Sequence, residues 1–347
     1  MKLLKYGLII AAVFIVLIVL RFNYNLRDRH PDFNIDLIID SPDEPGRLSV
    51  GFAKIPITPQ VTDTWNDFNN NAKYEPEKGE TYNDVNSNNK FDPVWIAGFH
   101  NRRPAQGVHD DLWARVMVLD DGATRVAITS IDAVGFIYDD AVDIRKSAHE
   151  KNNCDYTIIS STHVHQAPDL IGIWGESFFK SGVNTEYMRY VKRQTVAAIE
   201  TAVKNLVPVK LRIGQDLEGA IPYVVDSRDP QEMDSGIRII QAIEISSGET
   251  LGSLVSWSNH PETLWSKNLL ISSDFPHYFR ESVENGVHKG DRLLAQGLGG
   301  ITVFVNGAVG GLMTTNPSHP IPDPFDGEMH KGATFEKAQA QGQQLGL

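Results

Sequence analysis

Apolar residues recur along the chain with three different periods. Gly7 to Leu20 is unbroken apolar sequence, GLIIAAVFIVLIVL, with no polar face at any helical angle. Farther on, short β-branched and aromatic runs at 114–119, 125–130, 156–160, 209–213, 237–245, 253–257 and 301–305 predict strands. The segments 139–151, 185–205 and 276–285 place apolar residues near helical spacing. Strands and helices mixed in this way predict an α/β fold of mixed β-sheets covered by helices, preceded by one amino-terminal transmembrane helix. The folded body is expected to open at Leu48-Ser49-Val50-Gly51-Phe52-Ala53, and no internal repeat is evident.

The apolar run must leave water. Lys2 and Lys5 precede it, Arg21, Arg27 and Arg29 follow, and Tyr6 and Phe22 supply interfacial aromatics. No small-x-small cleavage site follows, which favours an uncleaved signal anchor at 6–22 over a removed signal peptide. The expected organisation is a short tail at 1–5, the anchor, a linker at 23–47 with Pro31, Pro42 and Pro45, and an α/β domain at 48–347. The globular part is then expected outside the cytoplasm, periplasmic or extracellular. Residues 62–93, rich in Asn, Asp, Glu and Lys, read as a polar surface insertion whose order needs external help. The chain stops at 335–347 inside or just after a helix, so a truncated gene product is one expectation.

A length of 347 residues with 41% hydrophobic content supports a substantial core. The net charge of −12 argues against a nucleic-acid partner, whose phosphates call for an excess of lysine and arginine. Cys154 is the only cysteine, so no intrachain disulfide can form, and packing at a strand entrance is its expected role.

The candidate chemistry sits at strand ends. Ser160-Ser161-Thr162-His163-Val164-His165 follows the strand-like Tyr156-Thr157-Ile158-Ile159, and residues two apart on a strand share a face. Leu254-Val255-Ser256-Trp257 likewise delivers Ser258-Asn259-His260-Pro261. Neutral imidazole suits zinc, copper, iron or nickel better than calcium or magnesium, so the two stretches point to one metal centre.

Asp84, Asn86, Asn88, the Lys90 carbonyl and Asp92 follow the first part of a calcium loop, with Asn89 where glycine usually makes the turn. Its expected role is to hold the insertion. His109-Asp110 reads as an orienting hydrogen bond or turn more than as a ligand pair. Asp132 reads equally as a helix cap and as a site carboxylate, and Arg228 as a surface residue unless it faces a cleft and binds a substrate oxygen. Asn306-Gly307-Ala308-Val309-Gly310-Gly311, after the last strand, is a turn whose backbone amides can approach a ligand.

At these residues the chain resembles the amino-terminal domain of the neutral/alkaline, non-lysosomal ceramidase family. Ser161-Thr162-His163-Val164-His165-Gln166-Ala167-Pro168 is similar to that family's Ser-Thr-His-Thr-His-Ser-Gly-Pro. Weaker blocks agree in order: Val50 to Thr58, Val108 to Leu119, Ser256 to Pro261 and Phe304 to Gly307. The resemblance implies a zinc amidase fold with His163 and His260 as zinc ligands. It implies catalytic contacts from His165 and Arg228, and substrate contacts at Asn306 and Gly307. Three departures accompany it. The family's Asn-Arg-Ser corresponds to Asp226-Ser227-Arg228, its Asp and Ser in Asn-x-Gly-Asp-Val-Ser-Pro fall on Gly311 and Met313, and its remaining glutamate and tyrosine ligands would lie beyond Leu347.

The expected protein is an exported, membrane-anchored zinc hydrolase of an amide bond, on a small-molecule or N-acyl lipid substrate, using metal-activated water. Zn2+ and Ca2+ are the implied cofactors. The alternative is a catalytically inactive metal-binding surface protein on the same scaffold.

Overall fold

A computed structural model describes residues 2–35, 46–311 and 313–347. Contacts divide the chain into two compact units. The first is built on α1 (Lys2–Leu26), whose segment Leu4–Leu26 is long and apolar enough to cross a membrane, with a mean hydropathy of 2.3. Part of the expected linker, 36–45, lies outside the described residues.

The second unit carries an eight-stranded sheet: β1 (Ser49–Pro56), β2 (Trp113–Asp120), β3 (Arg125–Ile131), β4 (Tyr156–Ser161), β5 (Val207–Asp216), β6 (Ile237–Glu244), β7 (Thr250–Trp257) and β8 (Ile301–Asn306). Its spatial order is β8-β7-β6-β5-β1-β2-β3-β4. Neighbours are antiparallel except for the outermost pairs, β3 with β4 and β7 with β8, which are parallel. The helices α2 (Tyr138–Asn152), α3 (Thr185–Lys204), α4 (Phe275–Asn285) and α5 (Phe335–Leu345) complete the frame.

The join between β1 and β5 is short, Ser49 opposite Pro208 and Val50 opposite Val207. There the sheet divides into two halves that fold over one another. Ser130 Oγ of β3 donates to the Phe304 carbonyl of β8, at 2.5 Å, although five strands lie between them in the sheet order.

Side-chain alternation then builds four layers, helix, sheet, sheet, helix. On β1, Val50 and Phe52 point inward to Met117, Val209, Ala242 and Val303, while Ala53 points out toward the α3 side with Val116, Val191 and Ala198. On the other outer face Val255, Trp257 and Phe304 pack against Phe275, Phe279 and Val283 of α4 and Leu345 of α5. Cys154 is buried just before β4.

Three ion pairs tie α4 to the opposite half-sheet, two of them buried. Arg280 grips Asp132 through both nitrogens at 2.9 and 3.0 Å, and Glu284 takes Lys54 and Arg115. Asp132 also accepts from the Trp113 amide and the Ser273 hydroxyl; burial pushes its acidity the other way, yet Arg280 and Ser273 hold the carboxyl below its ordinary value. Asp132 is thus engaged in fixing α4.

The insertion is more ordered than its polar composition predicts. Thr64–Trp65 pairs with Tyr82–Asn83, Trp65 is buried and donates from Nε1 to the Pro104 carbonyl, and Phe91 packs at a tilt on Tyr74 with centroids 4.4 Å apart.

Candidate metal centre

The parallel outer pairs set the site. β3 and β4 run side by side, as do β7 and β8, so each half-sheet brings two carboxyl-terminal strand ends together, and folding the halves brings all four into one region. From the end of β4 the chain is drawn across β3: the Thr162 amide donates to the Ile131 carbonyl and the His163 amide to that of Ala133. His163 itself sits at φ 66°, a left-handed conformation unusual for a residue with a side chain. From β7, the His260 amide donates to the Met313 carbonyl, and the His165 amide donates across to the Pro261 carbonyl.

The result is three imidazoles from two distant stretches. Ring centroids are 4.8 Å apart for His163 and His260, 4.9 Å for His163 and His165, and 5.6 Å for His165 and His260. Their ligating nitrogens lie within 4.8 Å of one another, so the triad could hold a metal ion.

The hydrogen-bond pattern fits a metal on the donor side. His163 Nδ1 donates to the Val134 carbonyl at 2.6 Å and His260 Nδ1 to that of Met313 at 2.7 Å. A donating Nδ1 leaves the Nε2 lone pair free, which is the tautomer a ligating histidine needs, held by a carbonyl partner of the usual kind. Neither nitrogen of the buried His165 ring has a hydrogen-bond partner. Burial lowers the pKa of all three: at His163 and His260 against the pull of their carbonyl partners, and well below the ordinary value at His165, where His163, His260 and Arg103 add repulsion. Neutral imidazoles in the right tautomer are what a transition metal requires.

Three further residues border the triad that sequence reasoning did not single out. Glu262 places Oε2 at 3.3 Å from His165 Nδ1, outside hydrogen-bond geometry, while its other oxygen accepts from the Thr314 hydroxyl; burial raises its carboxyl above the ordinary value. A lone carboxylate two residues past His260 was the available signal. Arg103, 1% exposed, donates to the Ala97 and His165 carbonyls and lies with its guanidinium 5.0 Å from the Phe99 ring; burial pushes it down to about 9. Gly98, at φ 111°, lets the chain pass where a Cβ would fall 2.6 Å from Cβ and Cγ of His165.

The other predicted residues are placed as follows. Asn306, at the end of β8, donates from Nδ2 to the Thr162 carbonyl at 2.9 Å and to the Asn259 carbonyl at 2.7 Å, and its Oδ1 accepts from the Asn259 amide at 3.2 Å. It clips together the two loops that carry the histidines. The Gly307 amide is committed to the Trp257 carbonyl, and a Cβ there would fall 2.3 Å from Ser258 Oγ. Arg228 is held by Asp226 at 2.9 and 3.1 Å; Asp226 pairs with Met313, so this loop adjoins the strand beside His260. His109 lies 3.0 Å from Asp110, which also accepts from Ser272 and Ser273. In the insertion, Asp84 accepts from the Asn88 and Asn89 amides, Asn88 from the Lys90 amide, and Asp92 from the Asn86 and Asn88 side chains.

A triple-imidazole centre at the strand ends of a folded-over sheet defines the class of site. No family model matches the chain. Two solved structures share its fold. One is a ceramidase complexed with C2, at 18% identity and a TM-score of 0.60, over 86% of this chain and 43% of that one. The other is the neutral ceramidase from Pseudomonas aeruginosa, at 19% identity and a TM-score of 0.60, over 87% of this chain and 44% of that one. The chain thus has the fold of these ceramidases and spans less than half the length of the structures it matches.

Proposed function

We propose that this protein is a metal-dependent amide hydrolase of ceramidase type, anchored by α1 with its body outside the cytoplasm and acting on an N-acyl lipid. The observation that carries the reading is the convergence of His163, His165 and His260 with the first and last fixed in the ligating tautomer. His163 and His260 would hold the ion, and zinc agrees with an imidazole donor set. A bound zinc would supply an acidified water and polarise the scissile carbonyl.

The residues of the chain carry the rest. His165, buried and neutral, presents unpaired nitrogens from which it can donate to or accept from the substrate. Glu262, with its acidity weakened by burial, is placed to take up or return a proton through His165 Nδ1. Asn306 holds the two histidine loops at fixed separation, and with the Gly307 amide committed to Trp257, Arg228 is left as the substrate contact of the same reading. The loop at 84–92 would take calcium and stiffen the insertion.

The test uses full-length protein in detergent. Metal content is measured together with fatty-acid release from ceramides and a panel of N-acyl amides. Wild type should carry about one zinc; His163→Ala and His260→Ala should lose both metal and turnover, and His165→Asn should keep the metal and lose turnover. Wild type that binds no transition metal overturns the reading. A second reading, an inactive metal-binding surface protein, is favoured by Gly311 and Met313 at positions where the ceramidase motif has aspartate and serine. Stoichiometric zinc without turnover on the whole panel would establish it.

A further inference from the structure

The insertion contains a repeat that hydropathy does not reveal, because both copies are polar. Asp67-Phe68-Asn69-Asn70-Asn71-Ala72-Lys73-Tyr74-Glu75 matches Asp84-Val85-Asn86-Ser87-Asn88-Asn89-Lys90-Phe91-Asp92 in the oxygen-bearing residues at its first, third, fifth and ninth positions, its lysine and its aromatic. The absence of an internal repeat expected from the sequence is therefore corrected.

The copies also fold alike. In the first, the Asn71 amide donates to Asp67 and Asn69, the Ala72 amide to Asp67, the Lys73 amide to Asn71, and the Asn69 and Asn71 side chains to Glu75. The six corresponding bonds recur in the second. Left-handed residues coincide, Asn70 and Ala72 at φ 56° and 61°, Ser87 and Asn89 at 57° and 61°. The aromatics, Tyr74 and Phe91, pack against each other at a tilt, so the loops lie back to back.

A second observation points to a ligand at the first loop. Glu80 is 4% exposed, and its Oε2 is seated on the Glu75 amide at 2.6 Å. Its Oε1 is sealed from solvent with no donor. A carboxylate oxygen in that state is costly without a cation. Glu75, itself 6% exposed, is balanced by Lys78, whose flexible side chain is 60% exposed and can swing away. In the second loop the corresponding amide, that of Asp92, is taken by Asp63, so each loop has a carboxylate from outside its nine residues.

We propose that residues 67–75 with Glu80 form a second calcium site, twinned with the loop at 84–92. Asp67, Asn69, Asn71, the Lys73 carbonyl, Glu75 and Glu80 supply the oxygen ligands that calcium prefers. Occupation of both would brace the aromatic cluster that Trp65, Tyr74, Tyr82 and Phe91 form at the root of the insertion.

The experiment is calcium binding to the full-length protein in detergent, stripped with EGTA, by equilibrium dialysis and calorimetry into the millimolar range that extracellular calcium modules use. Two ions should bind per chain. Glu80→Gln, isosteric and without the charge, should weaken one of them by roughly tenfold or more and leave the other, which Asp84→Asn removes, unchanged. Asp67→Asn should act as Glu80→Gln does, and zinc content should stay constant throughout. Wild type binding no calcium, one ion lost with Asp84→Asn alone, or unaltered affinities in Glu80→Gln would each overturn the proposal. The readout is independent of any hydrolytic activity.

Discussion

Replacing Asn306 by alanine tests whether the histidine loops are held by a single side chain. The amide makes three hydrogen bonds, to the Thr162 carbonyl, the Asn259 carbonyl and the Asn259 amide, and both partner residues are fully buried. At about 1 kcal/mol net for each bond, and more where a buried group is left unpaired, the loss should be roughly 3–5 kcal/mol. For a folded unit of this size that corresponds to a melting temperature lower by roughly 5–8 °C. Because Thr162 precedes His163 and Asn259 precedes His260, the two rings should also lose their mutual alignment, and metal affinity should fall about 10–100-fold, as it does when outer partners of a metal site are removed. Thermal unfolding of the stripped and zinc-loaded protein, with a competitive chelator titration, measures both. Asn306→Asp is the comparator: similar in size, it places a carboxylate against two carbonyls and should do no better than alanine. An alanine variant that melts within 1 °C of wild type, on the order of an ordinary surface substitution, and retains zinc equally would refute the reasoning.

Two further outcomes follow from buried charge. Asp132→Asn leaves Arg280 buried without its counter-ion and should cost about 3–5 kcal/mol in urea denaturation, partly recovered by adding Arg280→Met; equal stability of the single and double variants would contradict the pairing. Asp274 is fully buried, and burial pushes its carboxyl up to about 6, above the ordinary 3.8, against the pull of the Leu264 and Phe275 amides. Between those values the folded chain binds the proton that the unfolded chain has released, so this group makes stability rise as pH falls through 6 and level off below about 4. That component should disappear in Asp274→Asn; melting curves whose pH dependence is the same in both proteins would dispose of it.

Much of the scaffold was legible because buried strands announce themselves: Tyr156 to Ile159, Leu254 to Trp257 and Ile301 to Val305 are β-branched or aromatic runs, and each became a strand. The two histidine stretches were legible for the same reason, as polar residues at the exits of apolar runs. Their meeting was expected from their chemistry, but the route to it was not legible, since it depends on parallel edge pairs and a fold-over at β1 and β5 that no local pattern encodes. Glu262, Arg103 and Gly98 escaped because their importance is purely spatial: each is defined by what lies against His165. The insertion misled in the opposite sense. Few aliphatics read as an unsupported loop, whereas buried aromatics and Asx-type hydrogen bonds order it without a conventional core.

The short seam at β1 and β5 gives the metal centre a mechanical meaning. His163 hangs from one half of the sheet and His260 from the other, so any ion shared by both is a rivet through the sandwich. Its binding energy is then also cohesion energy, growing with the logarithm of free metal over the dissociation constant. Withdrawing such an ion would loosen the two halves.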